Sequence, residues 1–391
     1  MTGAANATLV RRYAFLEQAG LAAVYGVAGA VQFSIAIAQI LLAVALCCWI
    51  ALVILEREPI EVPRFAWPLA VYAAVTLVST ALSPDPRTSL MADKQMVLFL
   101  LVPVVYRFAS GPRASTMVTV IVSFAAVSAA YGIVQYGILR YDNLGQRALG
   151  TLGHYMTYAG LLMLVICVAL AQVLFAERDR LWSALVLPAL VVAVTVTFSR
   201  NTLVGVCAAA ALLLALKDFR LLAVLPVLAA IFFTVAPARL TTRYLSIFNV
   251  KNETNRDRLA MMREGLHMIQ DHPIVGIGPN MVLPLYATYR VPEAVEPVNQ
   301  HLHNVPLQIA AERGLPALAV WLWFIVGLIV GLAKQLGTRP GRFMAAGGLA
   351  AVVAMLAAGM FEYNFGDSEF LMLFLILVTL PFAATRTPRQ T

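Results

Sequence analysis

Charge is what this sequence has least of. Only 12% of its 391 residues are Asp, Glu, Lys or Arg, about half the share of an ordinary soluble domain. That excludes the solvated surface of a typical cytosolic enzyme, a charge-rich disordered chain, and a nucleic-acid binder whose basic surface would carry its affinity. Cysteine is scarce as well. Cys47, Cys48, Cys167 and Cys207 all fall inside apolar runs, with no spacing that suits a disulfide framework or a zinc ligand set. Strand-type alternation is missing, which excludes a barrel of ~10-residue alternating segments. What the chain has instead is apolar sequence: 61% of residues are hydrophobic and the mean hydropathy is +0.82.

Those residues fall in continuous runs near 17–33, 35–56, 65–83, 95–107, 114–139, 154–176, 181–199, 201–216, 219–236, 305–333, 343–361 and 369–385. Each approaches the ~20 residues needed to cross a bilayer. The expectation is an all-α integral membrane protein of about twelve transmembrane helices. Arg11 and Arg12 precede the first run as in a signal peptide, but no small-residue cleavage site ends it, so it reads as a retained span. Connections are short except for residues 237–304, a polar stretch long enough to carry its own short helices. The chain thus divides into 1–236, with nine spans, the loop 237–304, and 305–391, with three more.

The net charge of +8 bears on orientation. With a cytoplasmic N-terminus, the inner segments carry Arg11 and Arg12; Arg57 and Arg64; Arg107 and Arg113; Arg178 and Arg180; Lys217 and Arg220; Lys334, Arg339 and Arg342; and Arg386 and Arg389. Lys and Arg are sparser in the short loops of the other side, as the positive-inside rule requires, and long loops are exempt from it. Both termini are expected in the cytoplasm. All five histidines, His154, His267, His272, His301 and His303, then fall on the outer side, and any chemistry belongs there.

Within the long loop, Asn255 to Gln270 has helical spacing, with Leu259, Met262, Leu266 and Ile269 on one stripe. Arg258 lies beside that stripe. A guanidinium at a buried helix edge needs an anion: either a structural salt bridge, to Asp257 or Glu253, or a bound phosphate, which its planar fork suits. Asp271 to Asn280 ends the helix at Pro273 and turns on Gly276 and Gly278. His301-Leu302-His303-Asn304 sits where the loop meets a membrane helix. It reads as packing and capping, or as a general base near neutral pH. A metal is not expected, because few carboxylates lie near it in sequence. Glu312, beside Arg313, is a carboxylate at the membrane edge, able to orient or neutralise a partner. Arg200, in the near-zero-length turn Ser199-Arg200-Asn201, either snorkels to the interface or meets the same anion as Arg258.

Together these stretches resemble the O-antigen ligase family, which is related to the O-antigen polymerases. The matching pieces are Arg147 to His154, Ser199-Arg200 through Gly205, Arg258 followed by His272-Pro273 and Gly276-x-Gly278, and His303-Asn304 followed by Leu307, Glu312 and Gly314. Met262 stands where the family pattern has Trp. The resemblance implies a GT-C-like fold with a periplasmic loop in a bacterial inner membrane. It implies transfer of a glycan from undecaprenyl diphosphate to the core sugars of lipid A, without cofactor or metal. It also implies that His303 is the essential histidine and that Arg200 and Arg258 are the family's arginines, with Arg147, His154, His301, Asn304 and Glu312 as possible supporting residues. On the residues themselves, two arginines could neutralise a diphosphate leaving group, His303 could take the acceptor hydroxyl's proton, and direct displacement would invert the anomeric centre. Two alternatives stand beside this. One is a polymerase or a protein-directed ligase, the latter disfavoured by the short tail after Thr385. The other is a transporter or flippase of a lipid-linked anion, which would place charges deep in its spans.

Overall fold

The computed structural model describes residues 2–55, 57–249, 251–337 and 341–386. Arg339 and Arg389, two of the basic residues used for orientation, lie outside the described residues, as does the side chain of Arg11. Among the described residues there is no strand, only an isolated bridge between Asp142 and Arg147. The helices are α1 (Thr2–Ala30), α2 (Ile35–Leu55), α3 (Ala66–Ala81), α4 (Pro86–Asp93), α5 (Leu101–Phe108), α6 (Arg113–Gly137), α7 (Tyr155–Phe175), α8 (Arg180–Thr195), α9 (Arg200–Lys217), α10 (Val224–Val235), α11 (Ala238–Leu245), α12 (Glu253–Asp271), α13 (Val282–Tyr289), α14 (Val305–Gln335), α15 (Arg342–Gly359) and α16 (Ser368–Ala384).

Every apolar run read from the sequence is helical. Among the described residues, seven stretches are long and apolar enough to cross a membrane: 35–55, 86–108, 113–137, 155–175, 200–217, 305–335 and 342–359. The runs at 66–81, 180–195, 219–235 and 368–384 are apolar but shorter. The protein is therefore a multi-pass, all-helical membrane protein, and length and composition reach seven spans rather than twelve.

The connections sort to two ends of the bundle. At one end Arg107 pairs with Glu58 at 2.8 Å and with Glu17 at 3.0 Å, Arg386 pairs with Glu61 at 2.7 Å, and Gly111 N–H donates to the Ala383 carbonyl. At the other end the Thr151 hydroxyl donates to the Phe33 carbonyl, Gln95 to the Gly366 carbonyl, and Arg239 pairs with Asp142. This second end carries the long loop and is called the loop face below. Between the two, α7, α15 and α16 form the buried centre, with nearly all of α16 inside. By contrast, α10 has no buried residue.

Local chemistry places the helix ends of the loop face. Asn252, Asn304 and Asp367 cap α12, α14 and α16, each side chain accepting a backbone N–H of the first turn. The Gly276-x-Gly278 turn has a specific partner. Helix α14 breaks at Gly314 (φ 80°), with Pro316 just beyond. The break frees the Ala311 and Glu312 carbonyls, which accept from Ile277 N–H and Gly278 N–H at 2.9 Å each, while Leu315 N–H donates to the Pro273 carbonyl at 2.8 Å. Gly276 (φ 69°) packs against the Glu312 backbone with no room for a Cβ. The turn thus satisfies backbone groups that a broken helix would leave unpaired inside the protein.

The amphipathic helix expected at 255–270 is α12, but its buried face is not the expected one. Asp257, Ala260, Met261, Glu264, Gly265 and Met268 are buried, whereas Leu259, Met262 and Leu266 are exposed. Small residues let α12 pack closely on the start of α14, where Leu302 and Leu307 press against Gly265. The two buried acids are held by backbone: Val291 N–H donates to Glu264, and Val295 and Glu296 N–H donate to Asp257. The apolar stripe is left facing a groove on the loop face.

Candidate active site

Four arginines converge on one cavity of about 370 Å³. It is lined by Arg147 from the loop before α7, Arg200 at the first turn of α9, Arg243 on α11, Arg258 on α12, and by His303 and Glu362. Arg200 is 4% exposed, so it does not snorkel. Its Nη1 donates to the Ser246 carbonyl and hydroxyl at 3.2 Å each, and its Nη2 is buried with no partner. Arg147 lies over the Tyr155 ring at 4.2 Å and Arg258 over Phe361 at 5.8 Å. None of the four is among the ion pairs formed by the described residues. The salt-bridge explanation for Arg258 therefore fails. The Asp257 carboxylate is used by two backbone amides and by Asn299.

Guanidinium groups this close and this buried raise one another's cost. Burial, then the neighbouring Arg147 charge, holds the Arg243 guanidinium below its usual range. Burial does the same to Arg258, with Glu362 and Tyr155 countering in part. A cluster of four guanidinium groups with an orphaned buried donor suits a multivalent anion, although Glu253, Asp257, Glu296 and Glu362 line the same cavity.

His303 closes the cavity. Helix α14 begins at Val305, behind the Asn304 cap, so the chain through 301–303 is not helical and both histidines turn to one side. His301 Nε2 and His303 Nδ1 each lie 2.9 Å from a different oxygen of Glu362, and the two rings are 4.2 Å apart. Burial pushes the Glu362 carboxyl up, but hydrogen bonds from His301 and His303 outweigh it, and the group sits well below the usual carboxylate range. It is a carboxylate that accepts His303 Nδ1–H, and in the neutral ring the lone pair is then on Nε2. His303 adopts φ 48° and Phe198, two residues before Arg200, adopts φ 57°. Both are in the left-handed region that bulky residues avoid, a cost tolerated where a site is over-determined.

The remaining expected residues divide. Arg200, Arg258, His303 and Arg147 are brought together. His301 shares Glu362 with His303 but lines a separate 200 Å³ pocket, with His154, Thr157 and Asp367. His154 is there too, 3.3 Å from the Thr157 hydroxyl, and does not line the arginine cavity. Asn304 is a structural cap that also donates to the Met360 carbonyl. Glu312 is not at the site. It is 2% exposed, pairs with Arg313 at 2.8 Å, and offers its carbonyl to Ser79. The break at Gly314 explains its position, because α14 is pinned there by the glycine turn rather than opened to the cavity. The orienting carboxylate is Glu362, which sequence reading missed along with Arg243. Glu362 is one of two acids, with Asp367, in the short connection between the apolar helices α15 and α16, a signal worth reading. Arg243 lay among seven loop basic residues with nothing to mark it.

The cavity opens into an apolar groove of about 230 Å³ that shares Arg200, Arg258 and His303 with it and is lined by Leu259, Met262 and Phe361. Charge and apolar surface thus meet at one histidine.

Residues 184–322 match the model of the O-antigen ligase family. That segment, about a third of the chain, is similar to the O-antigen ligase family. The matched segment runs from α8 into α14 and includes Arg200, Arg243, Arg258, His301 and His303. Arg147, His154 and Glu362 fall outside it. No curated protein matches the chain. The similarity points to a glycan-related function of the ligase and polymerase type in a membrane protein.

Proposed function

We propose that this protein transfers O-antigen polysaccharide from undecaprenyl diphosphate to the lipid A–core oligosaccharide, at the periplasmic face of a bacterial inner membrane. The observation that carries the reading is the unpaired arginine cluster beside a histidine held by Glu362. Arg200 and Arg258, supported by Arg243 and Arg147, bind the donor diphosphate, and the apolar groove beside them takes the first part of its isoprenoid chain. The acceptor hydroxyl approaches His303 Nε2. As the hydroxyl oxygen bonds to the anomeric carbon, its proton passes to Nε2 and the bond from that carbon to the diphosphate oxygen breaks. The arginines stabilise the charge developing on the departing diphosphate, and Glu362 stabilises the imidazolium. One displacement inverts the anomeric centre. No metal is required by these steps, since the cations are guanidinium groups. In this reading all twelve apolar helices cross the membrane, both termini are cytoplasmic, and residues 237–304 form the periplasmic loop between nine preceding and three following spans.

The test is direct. Purified protein, a labelled diphosphate-lipid glycan and lipid A–core are combined with chelator present. Labelled lipopolysaccharide is the expected product. Extension of the donor glycan with no label on lipid A–core would assign the polymerase reaction instead.

A further inference from the structure

We propose that His301, His303 and Glu362 also form a latent site for a zinc-type transition-metal dication, and that filling it locks His303 in the tautomer that cannot act as a base. The second half rests on the reading of His303 as the base; the first does not.

The donor atoms of the three side chains lie within 4.8 Å of one another, and both nitrogen-to-oxygen separations are 2.9 Å. Zinc holds imidazole nitrogen and carboxylate oxygen at about 2.0–2.2 Å, which sets neighbouring donors roughly 3.3 Å apart in a tetrahedron. Drawing the three donors from within 4.8 Å to about 3.3 Å of one another converts the hydrogen-bonded trio into a three-ligand site. Two imidazoles with one carboxylate are a donor set used by zinc enzymes with an open fourth position.

The backbone already holds the trio in place. Asn304 accepts Leu307 N–H and donates to the Met360 carbonyl, tying 301–304 to the segment that carries Glu362. Tyr363 N–H donates to the Glu362 oxygen that faces His301. The histidine side chains keep 29% and 22% of their surface exposed, enough for an ion to enter and for water to complete its shell. The surrounding charge works against tight binding: Arg258 and Arg200 line the cavity of His303 and Glu362, and the trio supplies one carboxylate. The site is therefore one for a reversible competitor rather than a resident cofactor.

The consequence follows from imidazole chemistry. A neutral ring has one lone pair. With Nδ1–H donated to Glu362, that pair is on Nε2. A metal on Nδ1 takes the pair there, and the ring proton moves to Nε2. No electron is transferred and no proton is lost overall, yet the base is gone.

The test uses the full-length, untagged protein in detergent, with Co²⁺ as the visible probe and Zn²⁺ as competitor. One Co²⁺ per chain with tetrahedral absorption, displaced by Zn²⁺, is expected. His301→Ala, His303→Ala and Glu362→Gln are each expected to weaken it by about tenfold or more, and His154→Ala and His267→Ala to leave it intact. Glu362→Gln keeps a hydrogen-bond acceptor, so its loss of metal does not reduce to misfolding. Absence of saturable Co²⁺ binding, or binding that survives all three changes, overturns the site. In the transfer assay, saturating Zn²⁺ is expected to cut the rate about 10²-fold, with recovery on chelation. Full transfer by zinc-loaded protein overturns the tautomer switch while leaving the site standing. Metal binding in a protein that transfers no glycan counts against the proposed function alone.

Discussion

His303 and Glu362 illustrate what a residue's partner adds to its identity. In the proposed reaction His303 serves as the base because its Nδ1 is spoken for, and that partner comes from 59 positions along the chain. His303→Ala is expected to lower transfer by ~10²–10⁴-fold and leave donor binding intact, because the arginines hold the diphosphate. Rate and donor affinity measured side by side decide this, and a parallel loss of both would make His303 a binding residue. Glu362→Gln keeps an acceptor but removes the charge that stabilises the imidazolium. A smaller fall in kcat than His303→Ala, with unchanged donor affinity, is the expected signature. The arginines behave oppositely. Arg258→Lys keeps a charge and loses the bidentate fork, so donor affinity falls with rate. Wild-type donor affinity in both Arg200→Ala and Arg258→Ala would reject the clamp. Of these residues, Arg200, Arg258 and His303 were legible from residue type, local spacing and family resemblance. Glu362 was not, since only the fold brings it near.

At the scale of elements, α12 shows why periodicity alone misassigned a face. Its apolar stripe was read as the buried side, yet the helix buries Asp257 and Glu264, whose partners are backbone amides of 291–296. Hydrogen bonds to distant backbone leave no periodic trace in sequence. Glu264 is fully buried and one of its oxygens has no partner. Burial holds its carboxyl above the ordinary glutamate range, chiefly opposed by the Val291 amide. The fold thus favours the protonated form. That contribution is complete below the ordinary glutamate range and is lost as pH rises through the raised value. Hydrogen-exchange protection in α12 and α13, relative to the intrinsic exchange rate at each pH, is therefore expected to rise from neutral to mildly acidic pH. Glu264→Gln is expected to protect both helices at neutral pH by about 1 kcal/mol and to flatten the pH dependence. Faster exchange in the glutamine variant at neutral pH would show that the charged form is the one the loop needs.

For the whole molecule, the two-ended sorting of connections is the strongest constraint on orientation. The twelve apolar runs were plain in the sequence because a bilayer demands continuous apolar length; their packing order was not, because lipid-facing and core-facing residues are equally apolar. Glu58, Glu61, Arg107 and Arg386 meet at one end, while His301, His303 and Glu362 meet at the other. An odd change in the number of crossings between these groups would break that sorting. The end with Arg64, Arg107, Arg113, Lys334 and Arg386 is the one that the positive-inside bias assigns to the cytoplasm. A reporter active only in the periplasm, fused near Lys251, is expected to give signal. One fused near Lys334 is expected to give none, and a cytoplasmic reporter there should be active. The two positions flank the site: Lys251 precedes α12, which carries Arg258, and Lys334 ends α14, whose first turn follows His303. Reversed signals at both would put the arginine cavity in the cytoplasm, where nucleotide-linked sugars rather than a flipped lipid-linked polymer would be the available donors. Reversal at one alone would mean that α14 does not cross, and the junction of loop and helix on which His303 depends would no longer lie at a membrane surface.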